Sequence, residues 1–61
     1  MEMNTQDYLK KALLDTQEKV RDFMNYAEQV DDKDLSKCFK EFAETEGLQA
    51  QELQKHIDRL K

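Results

Sequence analysis

Three side chains in this sequence stand where chemistry could be done and where packing alone does not account for them: Glu46, Gln49 one turn later, and Thr16. A carboxylate carried into a helical core is costly unless it is hydrogen-bonded, paired, protonated or bound to a metal. Gln49 brings a donor and an acceptor, and Thr16 a hydroxyl. The simplest satisfied arrangement is a polar core layer of Thr16, Glu46 and Gln49 that fixes the register of packed helices. Glu46 is also the candidate metal ligand. Other reactive groups are worse placed. Cys38 and His56, the only thiol and the only imidazole, fall on one predicted helix roughly 27 Å apart, too far to act as nucleophile and base. We read Cys38, beside Phe39, as a small half-buried residue, and His56 as a ring packed near a helix end. No glycine-rich loop exists to cradle phosphate, since Gly47 is the single glycine.

The elements that must position these groups follow from the apolar spacing. Leu9, Leu13, Thr16, Val20, Phe23, Ala27 and Val30 step alternately by four and three, which predicts an amphipathic helix over about 5–30. Asn4 or Thr5 serves as its N-cap, with Asp7 near its positive end. Three aspartates in "VDDKDL" then predict a turn over about 31–33. A second helix over about 34–60 carries the seam Leu35, Phe39, Phe42, Glu46, Gln49, Leu53, His56 and Leu60, flanked by Cys38, Ala43 and Ile57. So short a connection makes the helices antiparallel. Pairing Val30 with Leu35 sets Phe23 against Phe42, Val20 against Glu46 and Thr16 against Gln49. Tyr8, Tyr26 and Met24 read as amphipathic flank residues, and Leu14 and Leu48 lie outside the main stripe.

The fold class expected is therefore all-α, one antiparallel two-helix hairpin over 1–61. A charged fraction of 39% with no proline suits long helices rather than strands. A 61-residue chain buries a small fraction of its surface, and one cysteine closes no internal disulfide. Oligomerisation is the remaining support, and a homodimer forming a four-helix bundle is the expected assembly. A net charge of −4 argues against nucleic acid as partner. No run of some 18 apolar residues spans a bilayer, and the polar "MEMNTQDYLKK" has no signal-peptide core. The expected compartment is the cytoplasm.

The stretch "LKKALLDTQEKVRDFMNYAEQVDDKDLSKCFKEFAETEGLQAQELQKHIDRL" resembles one helical hairpin of the rubrerythrin branch of the ferritin-like proteins, over nearly the whole chain. In that family an inward Glu on the first helix and Glu-x-x-His on the second, doubled by a second hairpin, hold two iron or manganese ions. Glu46 matches the Glu of Glu-x-x-His, Gln49 stands in place of the His, and Thr16 in place of the first-helix Glu. Asp15 and Glu18 lie near that position but off the seam. The resemblance implies a ferritin-like half-bundle whose metal site has become a polar layer, non-enzymatic and without a cofactor. The alternative it leaves is an iron-binding or manganese-binding protein with a site around Glu46 and di-iron oxidoreductase chemistry.

Overall fold

The computed structural model describes residues 3–60. Two helices account for nearly all of them, α1 over Thr5–Gln29 and α2 over Lys33–Arg59, packed against each other, with no strand among the described residues. The all-helical hairpin expected from the sequence is the fold observed. Both helix starts are capped by side chains. The Asn4 carboxamide oxygen accepts from the Asp7 backbone N–H at 2.9 Å while the Asp7 carboxylate accepts from the Asn4 N–H at 3.2 Å, a reciprocal capping box. The Asp32 carboxylate accepts from the N–H groups of Asp34 and Leu35 at 2.8 and 3.1 Å, so α2 starts one residue earlier than expected. Between the helices only Val30, Asp31 and Asp32 remain. At the end of α1, the Ser36 hydroxyl donates to the Ala27 carbonyl at 2.8 Å, filling an acceptor that the helix terminus leaves open.

Along α1 the expected seam is the one found: Leu9, Leu13, Thr16, Val20, Phe23 and Val30 are half-buried and Ala27 is buried. Along α2 the seam is turned. The stripe facing α1 is Ser36, Phe39, Ala43, Glu46, Ala50, Leu53 and Ile57, of which Ala43 and Ile57 are buried. Leu35, Phe42, Gln49, His56 and Leu60, expected in the seam, are exposed instead. The cause is steric. Two helices approach most closely where small residues meet, and Ser36, Ala43 and Ala50 offer a shallower ridge than Leu35, Phe42 and Gln49. The longitudinal register is as expected, with the rings of Phe23 and Phe42 at 5.6 Å. At the far end the Gln6 amide donates to the Ile57 carbonyl at 3.5 Å.

The body measures 44 × 24 × 10 Å. Its least dimension is that of one helix, so the hairpin is a single layer, whereas a self-sufficient domain needs two. Its Cα radius of gyration is 14.2 Å, against about 10.5 Å for a compact chain of this length. Its accessible surface is 5100 Å², against about 4200 Å² for a compact monomer of 7.3 kDa. Among the described residues only Ala27, Ala43 and Ile57 are buried.

Candidate functional site

Within the hairpin the three polar residues do not join. The Thr16 hydroxyl donates to the Ala12 carbonyl one turn back at 2.7 Å, a bond made inside α1. Glu46 is half-buried on the side of α2 that faces α1. Gln49, expected in the core, lies on the exposed edge, lining a shallow groove with Thr45, Leu48, Glu52, Leu53 and His56. The rotation of α2 is what parts them: it carries Gln49 outward by one helical edge while leaving Glu46 near the interface. Among the described residues no group of three or more His, Cys, Asp or Glu side chains is close enough to hold a metal ion.

The remaining reactive groups stand apart. Cys38 is a free, half-buried thiol, as read from the sequence. His56 is exposed, with its Nδ1 at 3.1 Å from Nη2 of Arg59 in the last turn of α2. The Lys11 ammonium pairs with Asp15 at 2.9 Å, and that hydrogen bond, with the attraction between the charges, holds Lys11 above its ordinary value. The pair is exposed and screened by water, so it decorates the surface. Asp15 is thereby engaged away from Glu46.

What the chain does assemble is an apolar surface on one side of the layer. Near the turn, Phe23, Tyr26, Phe39 and Phe42 form a ring cluster with centroid distances of 5.6 to 6.4 Å. Phe42 and Tyr26 are 46% and 45% exposed, so the cluster is open on one face. Tyr8 precedes Tyr26 by about five full turns and falls on the same stripe of α1. Leu35 and Leu60 extend the stripe of Phe42 to both ends of α2 and are also exposed. On the opposite side of the layer Val20 and the exposed Met24 of α1 meet Lys40, Ala43 and Glu44 of α2. Sequence spacing already held this difference, because Leu35, Phe42 and Leu60 form one apolar edge of α2 and Ser36, Ala43 and Ala50 the other. Together the two edges make a stripe wider than one neighbouring helix covers. Comparison with protein-family models, with curated proteins and with solved structures gives no match to this chain.

Proposed function

We propose that this chain is a non-enzymatic structural module, a helical half-bundle that works as a homodimer or higher homo-oligomer. The observation that supports this reading is the single-layer hairpin with an aromatic and aliphatic face left open to water. A layer one helix thick gains its second layer most simply from another copy, since closed symmetric dimers are the commonest assembly. The resemblance to a ferritin-like hairpin enters the proposal in the same sense. Thr16, Glu46 and Gln49 occupy the positions at which that family places ligands, and they bring one carboxylate, one amide and one hydroxyl where it uses carboxylates and imidazole. Such a set favours a polar layer over a hard-metal centre. A cytoplasmic setting fits the free thiol of Cys38. No helix among the described residues is long and apolar enough to cross a membrane.

Sedimentation equilibrium at micromolar concentration tests the assembly, with a mass of roughly 15 kDa or a multiple expected from the 7.3 kDa chain. A well-folded monomer overturns the proposal. A chain that is monomeric and largely unfolded alone points instead to docking on a larger helical partner. Calorimetric titration with ferrous iron separates the metal reading, since tight uptake of two ions per dimer would replace the polar layer with a working site around Glu46.

A further inference from the structure

The apolar face has a symmetry that says how a second copy lies on it. Its residues are placed evenly about one level of the hairpin. On α1, Tyr8 and Tyr26 are equidistant from Gln17. On α2, Leu35 and Leu60 are equidistant from the step between Gly47 and Leu48, and so are Phe42 and Leu53. Those midpoints are themselves level in the hairpin, because Phe23 and Phe42, which touch at 5.6 Å, stand about six residues from each of them. One twofold axis crossing the layer at that level therefore serves both helices.

We propose that a second copy of this chain covers the apolar face in reversed direction, its turn over the open end of the first, so that Leu35 meets Leu60 and Tyr8 meets Tyr26 of the other copy. This rests on the homodimer reading and adds the face, the direction and the contacts. An isologous interface requires a surface complementary to itself under the twofold, and the reversed pairing sets Leu35 opposite Leu60 and Phe42 opposite Leu53 on α2, and Tyr8 opposite Tyr26 on α1. Glu46 and Gln49 are equidistant from the same step on α2, so each carboxylate comes level with an amide of the other copy. The polar layer that one hairpin leaves unjoined is completed between two.

The area is sufficient. Two separate hairpins expose twice 5100 Å², and a compact body of the combined mass exposes roughly 6900 Å². The difference, roughly 3300 Å², is within the range of permanent dimers. The other side, with Lys40 and Glu44, stays in water.

Disulfide trapping tests the direction. In a chain carrying Cys38→Ser, the exposed Leu35 and Leu60 are both replaced by cysteine and the protein is oxidised with oxidised glutathione. Within one chain these positions are roughly 37 Å apart along α2, far beyond the ~7 Å that a disulfide spans, so a 35–60 bridge forms only between copies laid in reverse. The expected product is a covalent dimer whose tryptic digest contains the 35–60 linked peptide. A sedimentation dimer that yields 35–35 or 60–60 bridges, or none, overturns the direction and leaves the homodimer reading standing; a folded monomer removes both.

Discussion

Replacing Gly47 by alanine is expected to stabilise the protein. Gly47 is inside α2, twelve residues from its end at Arg59, with a backbone that does not enter the left-handed region. A Cβ built there meets nothing within 4 Å. No steric cost offsets the gain in helix propensity, which is about 0.8–1 kcal/mol for Gly to Ala in a helix interior. For a domain of this size that is a rise in Tm of about 4–8 °C. In a cooperative dimer the free-energy gain and the unfolding entropy both double, so the shift is of the same size. The assay is a thermal scan by circular dichroism of parent and Gly47→Ala at equal chain concentration, because the Tm of an oligomer depends on concentration. Gly47 follows Ala43 by one turn and Glu44 by three residues, so it belongs to the side of the layer that carries Lys40 and Glu44. A fall in Tm would mean that another molecule packs closely against that side, and would refute both the stabilisation and the placement of the interface on the opposite face.

Three further outcomes follow from caps and polar groups. Asp32→Ala removes the acceptor of two N–H groups at the start of α2 and is expected to lower stability by about 1 kcal/mol in urea unfolding; an unchanged midpoint would show the cap to be idle. Ser36→Ala withdraws the donor from the half-buried end of α1 and is expected to cost about 1 kcal/mol, with faster hydrogen exchange of the last turn of α1 as the local signature. Glu46→Leu with Gln49→Leu replaces the proposed polar layer by apolar contact and is expected to raise Tm while broadening the distribution of oligomers, since buried polar groups specify more than they stabilise. A double variant that melts well below the parent and stays a single species would contradict that.

The turn, the caps and the antiparallel register were legible because each depends on residues close in sequence: the aspartates of "VDDKDL", Asn4 with Asp7, and the three-residue connection that leaves only one way for the helices to pair. The α1 stripe was legible for a related reason, since its apolar residues lie on a single edge. In α2 they lie on two. Leu35 and Phe42 outweigh Ser36 and Ala43 in hydrophobicity, so a reading by apolar content centres the seam on the bulkier edge. Close approach of two helices is decided by shape, and the smaller edge turned inward. Gln49 moved out with that rotation, which is why the polar layer expected inside one hairpin is absent there. The edge of Leu35, Phe42 and Leu60 is present in the sequence spacing, but that it is left free, beside Tyr8 and Tyr26, follows only from the way the two helices pack.

The aromatic cluster beside the turn also sets an order of events in time. Tyr26 and Phe39, whose rings lie 5.6 Å apart, are joined by a short loop, so bringing them together closes little chain entropy. Gln6 and Ile57 are separated by most of the sequence and meet cheaply only after everything between them has zipped. Folding is therefore expected to start at the turn and run toward the termini, with contacts local enough for a fast helical folder. The same gradient is expected to run backward on opening, with amides of Leu9 and Leu53 exchanging before those of Phe23 and Phe39, which native-state hydrogen exchange would show. A second copy laid in reverse places its early-forming end on the late-forming end of the first, so association clamps the stretch of each hairpin that frays soonest.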